Sequence, residues 1–325
     1  MGNRIMLSYG SAVGLGLIKG LVQVKPTTAY FYFKNNGCRG SCAFCPQSTT
    51  AQGGSKRIAR VDWPEFSIDE TMNVLQNDIW FRRICIQCSD EPMVKEQLPQ
   101  LIGKFKKSCE LPISVSTSPL SREQMEKIRN AGAERLTIPI DCANAKLLPL
   151  IKGKDMKDIL NALEAAVDVF GPGKVGSHLI IGLGETEMDA VLLMHQLQKE
   201  GIVPSLFAFT PVAGSRMERS VPPNMEKYRR MQIARHLLVE KGQDISIFNF
   251  DLEGRLVGLD ISSAEFKRIF EGGDMLMVHG CPDCNRPYFN ERITGPIYNY
   301  AKMPEANELL PIEGELVGLA KGDQV

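Results

Sequence analysis

The stretch AYFYFKNNGCRGSCAFCPQ, Ala29 to Gln47, runs from an aromatic apolar segment straight into three cysteines within eight residues. Its first part, AYFYFKN, has the composition of a β-strand, and the Asn and Gly after it mark a loop. Comparable runs recur down the chain: RRICIQC (82–88), PISVST (112–117), RLTIPI (135–140), SHLIIGL (177–183), PSLFAFT (204–210) and DISIFNF (244–250). Between them lie helical patterns such as EQLPQLIGKFKK, SREQMEKIRNAG, MKDILNALEAAVDVF, TEMDAVLLMHQLQKEG and MEKYRRMQIARHLLVEKG. Ser121 followed by Gln124 fits a capping box, and Gly132 fits the stop of the same helix. Strands that alternate with helices call for a parallel sheet covered by helices. Roughly six or seven such units are too few to close an eight-stranded barrel, so the expected fold is α/β, a partial open (βα)6-type parallel barrel. Barrels of this kind put their chemistry at the C-terminal ends of the strands, where Cys38, Cys42 and Cys45 fall. The expected organisation is an N-terminal helical extension (1–27), the barrel (28–250) and a loop-rich, cysteine-containing C-terminal extension (251–325).

Composition narrows the function classes. The chain has 325 residues, of which 43% are hydrophobic, enough for a substantial core. Lys plus Arg and Asp plus Glu both number 38 and no basic block stands out, which argues against a nucleic-acid partner. The opening MGNRIMLSYGSAVGLGLIKGLV is interrupted by Arg4, Tyr9, Lys19 and several glycines, leaving neither a signal-peptide core nor a membrane span. Nine cysteines, an odd number unevenly spread, suit a reducing compartment where thiols bind metal, so a cytoplasmic location is expected.

The three thiols after the first strand are soft ligands, suited to zinc or to an iron–sulfur cluster, and a chance group of buried cysteines is the bland alternative. A structural zinc site takes four protein ligands, whereas three thiolates on one loop leave one iron of a cubane uncovered. The pattern Cys-x3-Cys-x2-Cys, with Phe44 before the third cysteine and a strand before the loop, resembles the signature loop of the radical S-adenosylmethionine (SAM) superfamily. The resemblance implies that Cys38, Cys42 and Cys45 hold a [4Fe-4S] cluster whose open iron takes SAM, and that one-electron reduction cleaves SAM to a 5′-deoxyadenosyl radical.

Other stretches extend the likeness. CSDEP stands where the family usually shows Gly-Gly-Glu-Pro, which places Ser89, Asp90 and Glu91 near the SAM amino group. SHLIIGLGETEMDAV resembles the GLGET segment of biotin and lipoyl synthases, which implies Ile180 against adenine and Gly182 and Glu185 in the turn that shapes the pocket; His178 stands where the pattern usually has glycine. SVSTSPLSREQMEKIRNAGAERLTIPIDCAN is similar to a biotin synthase region, so the resemblance runs from about residue 28 to 217. Asp141 then occupies a strand-end acidic position for a SAM hydroxyl or the substrate, or else caps the following helix. Ser114 stands where biotin synthase carries a ligand of its sulfur-donating cluster, which disfavours biotin synthesis itself.

In the tail, HGCPDCNRPYFNERITGPIYNYAK sets Cys281 and Cys284 at metal-ligand spacing in a loop-rich segment. Two alternatives stand: a structural zinc knuckle, completed by Cys85 and Cys88, or an auxiliary iron–sulfur cluster that draws one or two further thiolates from Cys85, Cys88 and Cys142, all at or near strand ends. Cys109, between a lysine-rich helix end and the next strand, is expected to be unliganded. Together, LSYGSAVGLGLIKG, CAFCPQ and CPDCNRPYFNE most resemble the archaeal two-component lipoyl synthases. Ordinary lipoyl synthase differs, since its auxiliary cysteines precede the radical SAM loop, whereas Cys38 is the first cysteine here. The resemblance implies sulfur insertion at C–H carbons of an octanoyl chain on a lipoyl carrier protein, a second auxiliary [4Fe-4S] cluster as the sulfur source, a paralogous radical SAM partner, and reduced ferredoxin or a similar electron donor. Biotin-type insertion on a small molecule, a radical SAM methyltransferase or mutase, and a non-catalytic metal-stabilised interaction subunit are the alternatives.

Overall fold

The computed structural model describes residues 4–34, 37–52, 57–58, 61–76 and 80–321. Asn35, at the end of the first expected strand, and the outermost residues of the first and last expected segments lie outside the described residues. In chain order, β1 (Arg4–Leu7) leads through α1 (Tyr9–Gly14) to β2 (Thr28–Phe33). A small hairpin, β3 (Arg57–Ile58) and β4 (Val61–Asp62), and β5 (Glu65–Ser67) precede α2 (Ile68–Leu75). Strands and helices then alternate: β6 (Arg83–Cys88), α3 (Pro92–Ser108), β7 (Ile113–Ser116), α4 (Arg122–Asn130), β8 (Ala133–Thr137), α5 (Leu148–Lys152), α6 (Met156–Phe170), β9 (Val175–Ile181), α7 (Glu187–Lys199), β10 (Ile202–Ala208) and α8 (Met225–Arg235). Six strands, β2 and β6 to β10, lie side by side and parallel, which is the expected partial barrel.

The helix signals hold where their chemistry is local. Ser121 accepts from the Gln124 amide and the Gln124 side chain accepts from the Ser121 amide, the capping box read from sequence. In α3 the buried residues Val94, Leu98, Leu101, Ile102 and Phe105 recur at helical spacing and cover the outer face of the sheet. Phe105 meets Phe31 of β2 edge to face, with ring centroids 4.8 Å apart. Each such fully buried side chain contributes about 1.5–3 kcal/mol.

Two expectations change. The N-terminal segment is not simply helical: β1 pairs antiparallel with β2 (Met6 opposite Tyr32) and with β5 (Arg4 opposite Ser67), extending the main sheet to eight strands. A four-residue apolar run such as RIML has no period of its own, so only its sheet partners declare it a strand. DISIFNF is not a seventh barrel strand. Asp244 caps a 3-10 turn over Ile245–Ile247, and only β11 (Phe248–Phe250) is extended. It pairs antiparallel with β12 (Leu256–Ser262), and β13 (Ala320–Lys321) completes this separate sheet, so paired strands cross the expected boundary at residue 250. The helices α9 (Ser263–Glu271) and α10 (Ala306–Leu316) follow in this region.

Strand alternation decides what the barrel contains. Phe31, Ile84, Ile86, Val115, Leu136, Leu179 and Leu206 point outward to the helices and are buried. The opposite set, Tyr30 and Tyr32, Cys85 and Gln87, Ser114 and Ser116, Thr137, His178, Ser205 and Phe207, faces the lumen, where it lines a cavity of about 320 Å³. Hydroxyl, thiol and aromatic side chains on this inner face, rather than interlocking aliphatic ones, leave the middle of the barrel open. From Val278 to Asn299 the tail carries no helix or strand, as expected. It is pinned at the lower rim by Thr28 Oγ1 donating to the Asp283 carbonyl (2.7 Å) and at the upper rim by Asn290 Nδ2 donating to the Ala208 carbonyl (3.1 Å).

Candidate active site

The loop after β2 brings Cys38, Cys42 and Cys45 to the C-terminal mouth of the cavity, where all three line it together with Phe44. Backbone amides point at the sulfurs: Gly40 and Asp90 donate to Cys38 Sγ and Gln47 donates to Cys45 Sγ, each at 3.4 Å. The Arg39 amide donates back to the Asp90 carbonyl (3.0 Å), so the loops after β2 and β6 are stitched together. Gly40 cannot be larger without cost. A Cβ there would lie 3.3 Å from Cys38 Sγ and 3.8 Å from Cys42 Sγ, so its absence keeps space between the two thiols.

Burial pushes Cys42 up to about 11, against the opposing charge of Lys152, and pushes Cys45 up to about 12. Thiols of this kind stay protonated at neutral pH unless a bound cationic centre draws off the proton. Among the described residues no three or more His, Cys, Asp or Glu side chains converge at the spacing of a single metal ion. Zinc needs its thiolate sulfurs all about 2.3 Å from one point. Three thiols on one loop with amides aimed at the sulfurs and a glycine between them fit a cluster, which spreads its ligands over separate irons.

Two buried hydroxyls on the same cavity lack a partner: Ser89 Oγ at the end of β6 and Thr117 Oγ1 just after β7. Such groups are costly unless something polar binds there, and the polar atoms of SAM suit them. Asp90 is already engaged. It accepts from Ser118 Oγ (2.6 Å) and pairs with Lys95 (3.0 Å) and Lys154 (3.0 Å), and although burial opposes it, these three partners hold its carboxyl well below the usual range. Glu91 begins α3 as its half-buried N-cap.

Asp141 does line the cavity, in a left-handed backbone conformation (φ 69°). Its carboxylate pairs with Lys152 Nζ at 2.6 Å, both side chains nearly buried. The capping alternative is overturned, because Asn144 Oδ1 takes the Lys146 and Leu147 amides instead. At the end of β9, Ile180 lines the cavity, whereas Gly182 and Glu185 stand outside it. Glu185 accepts from the Gly182 and Leu183 amides (both 2.8 Å) and pairs with Lys227 (2.9 Å), so it holds the turn. Gly182 has φ 106° and a Cβ would come within 2.8 Å of Pro223, a fit only glycine allows.

Cys85, Cys88, Cys281 and Cys284 line this same cavity. Cys85 is pushed up by burial and then by Cys281, Cys284 and Cys88 beside it, and burial pushes Cys88 up to about 12. The Tyr30 hydroxyl lies 3.5 Å from Cys284 Sγ and accepts from the Arg286 amide (2.9 Å). Cys142 is a correction to the expected set: it is fully buried in the core, with its thiol toward the Asn144 carbonyl (3.8 Å), and does not line the cavity. The tail pair also differs from expectation in its placement. Arg83 Nε donates to the Pro282 carbonyl (2.8 Å) and Thr27 Oγ1 to the Asp283 carbonyl (2.6 Å), so the loop lies at the N-terminal rim, and only Cys88 stands at a C-terminal strand end. Cys109 lies outside the cavity.

Several lining residues had no sequence signal. Lys152 and Lys154 arrive from the end of α5, and Arg286 stacks over Phe207 with its guanidinium carbon 3.7 Å from the ring centroid. His178, half-buried beside Phe207, is pushed down to about 3 by desolvation and then by Arg286 and Lys152, so it is neutral. Tyr30 and Tyr32 were visible in the alternation of β2, once one face is known to be the lumen.

Comparison with known proteins agrees with this geometry. Among curated proteins, a probable GTP 3′,8-cyclase of Methanococcus vannielii is 25% identical over 179 residues, which is 54% of this chain and 56% of that protein. A biotin synthase of a Caulobacter species is 24% identical over 253 residues, 75% of this chain and 73% of that protein. The chain therefore spans little more than half the length of the cyclase. Among solved structures, methylornithine synthase (PylB) superposes with a TM-score of 0.52 at 17% identity, covering 64% of this chain and 62% of that one, and shares the fold. No helix among the described residues is long and apolar enough to cross a membrane. The radical SAM superfamily pattern matches residues 32–197, from β2 through the three-cysteine loop to α7, and the chain belongs to that superfamily.

Proposed function

We propose that this radical SAM enzyme inserts sulfur at C–H carbons of an octanoyl chain carried on a lysine of a lipoyl carrier protein, in the manner of a lipoyl synthase. The observation that carries the reading is that two thiol sets, Cys38/Cys42/Cys45 and Cys85/Cys88/Cys281/Cys284, line one cavity. Replacing C–H by C–S needs a hydrogen-abstracting centre and a sulfur source within bonding reach, in a site closed to water. In this reading Cys38, Cys42 and Cys45 hold the [4Fe-4S] cluster of the superfamily, and Phe44, Ser89, Asp90, Glu91, Asp141 and Ile180 surround SAM, with Gly182 and Glu185 setting the turn beside them. When bound, that cluster supplies the electron that cleaves SAM. Ser89 and Thr117 offer their free hydroxyls, Lys154 offers charge for a carboxylate, and Asp90 orients both neighbouring lysines. Cys281 and Cys284, with Cys85 beside them, would hold a second, auxiliary cluster as the sulfur source. A cytoplasmic location, a paralogous partner chain and a ferredoxin-type donor complete the proposal.

A second reading, sulfur insertion on a small molecule, is supported by the biotin synthase match over 75% of the chain. It is opposed at β7, where Ser114 offers no thiolate and its hydroxyl instead accepts from Arg83 (3.0 Å). Anaerobic incubation with SAM, a reductant and an octanoyl-lysine peptide, with and without a paralogous chain, tests the proposal by product mass. Sulfur added to the octanoyl chain is the expected result. SAM cleavage without any sulfur-bearing product, under both conditions, would overturn it.

A further inference from the structure

The tail thiols face two ways. Cys281 and Cys284, with Val203, His279 and Gly280, line both the lumen and a second cavity of about 550 Å³. That second cavity opens at the opposite end of the barrel, since Thr27 and Arg82, just before β2 and β6, form its wall with Val239, Asn285 and Ala301. The Cys281–Cys284 loop is therefore a partition between two openings. It is held in place at its backbone by Arg83 on Pro282 (2.8 Å), by Thr27 and Thr28 on Asp283 (2.6 and 2.7 Å), and by Asn285 Oδ1 accepting the Thr27 amide (3.0 Å). Charges around the lower opening are paired, Arg235 with Glu240 at 3.1 Å and Arg82 with Asp283 at 3.7 Å, so it opposes neither a neutral molecule nor a small anion.

With SAM and an acyl chain bound, the upper route would be blocked. A lumen of about 320 Å³ is at the lower end of ligand-pocket sizes, and SAM with an acyl chain would fill it. We propose that the lower cavity is a port through which inorganic sulfide, as hydrogen sulfide or hydrosulfide, reaches Cys281 and Cys284 without passing the mouth that holds Cys38, Cys42 and Cys45. The choice of sulfide rests on the auxiliary-site reading above; the existence of the second route does not.

The test compares iodoacetamide alkylation of individual cysteines, read by peptide mass, in the full-length chain before metal loading. Ala301→Trp narrows the lower opening, and Val212→Trp, in the loop after the C-terminal end of β10, the upper one. The port predicts that Ala301→Trp slows labelling of Cys281 and Cys284 by about tenfold or more and spares Cys38, and that Val212→Trp does the reverse. Unchanged labelling of the tail thiols in Ala301→Trp, or their protection in Val212→Trp, would overturn it. Labelling of Cys38 in the same sample reports whether the fold survives, and Val239→Phe, from another wall, replaces Ala301→Trp if it does not. For the ligand, uptake of isotopically heavy sulfide into acid-labile sulfide is followed in a Cys38→Ala/Cys42→Ala/Cys45→Ala background. Uptake slowed in parallel by Ala301→Trp supports sulfide, and uptake at full rate rejects it. A background with no acid-labile sulfide at all refutes the auxiliary cluster, and the alkylation rates then judge the port alone.

Discussion

Replacing Lys152 by methionine should destabilise the protein more than any surface charge change. Lys152 Nζ sits 2.6 Å from Asp141 Oδ2, with side chains only 7% and 11% exposed, and it also donates to the Pro139 carbonyl. A methionine of similar volume fills the space but leaves Asp141 as a buried carboxylate without its counter-charge. Breaking such a pair from one side costs about 3–5 kcal/mol, against about 0–1 kcal/mol for an exposed pair. At about 2.1 cal/mol/K of unfolding entropy per residue, that corresponds to a fall in Tm of roughly 4 to 7 °C. Denaturant unfolding of the anaerobic protein, followed by far-UV circular dichroism, gives the free energy directly. The double variant Lys152→Met/Asp141→Leu should recover about 1–3 kcal/mol relative to the sum of the single changes, because no orphaned charge remains. A loss below about 1 kcal/mol for Lys152→Met, or strictly additive singles, would refute the claim that Asp141 is committed to Lys152.

The Cys38→Ala/Cys42→Ala/Cys45→Ala variant should lose about four irons per chain and all SAM cleavage; retained 5′-deoxyadenosine formation would reject the assignment. Cys281→Ala/Cys284→Ala should lose about four irons while SAM cleavage persists without sulfur transfer, whereas loss of zinc with iron unchanged would mark a zinc knuckle. Gly40→Val should lower iron content while changing the unfolding free energy by no more than about 1 kcal/mol, since its new atoms press on thiols in a loop rather than on the core; full iron would show that the thiols have room to spare. His178, held near 3 against an ordinary 6.5, binds fewer protons folded than unfolded as pH falls below 6.5. Stability is thus fully present above that value and declines towards pH 3, and His178→Leu should flatten the decline between pH 6.5 and 4 in denaturant midpoints.

The local chemistry of this protein was legible in its residues. Three thiols at fixed spacing after an aromatic strand announce a cluster loop wherever the chain goes, and the capping box at Ser121 and Gln124 needs only three residues of backbone. Alternation of strand and helix was likewise enough for a partial barrel, because parallel strands leave few ways to connect. What depended on distant partners was not. β1 is a strand only because β2 and β5 flank it, and DISIFNF leaves the barrel because β12 captures its end. Cys142 and Cys85 were both expected at or near a strand end, yet the structure sends one thiol into the core and the other, from the middle of β6, into the lumen. Asp90 and Asp141 were visible as strand-end acids, but the lysines that claim them arrive from α3 and the end of α5, where nothing in sequence marks the pairing. The joining of the tail thiols to the same cavity as the cluster loop is likewise a tertiary fact, since it brings residues about 240 positions apart within one lumen and no local propensity encodes that distance.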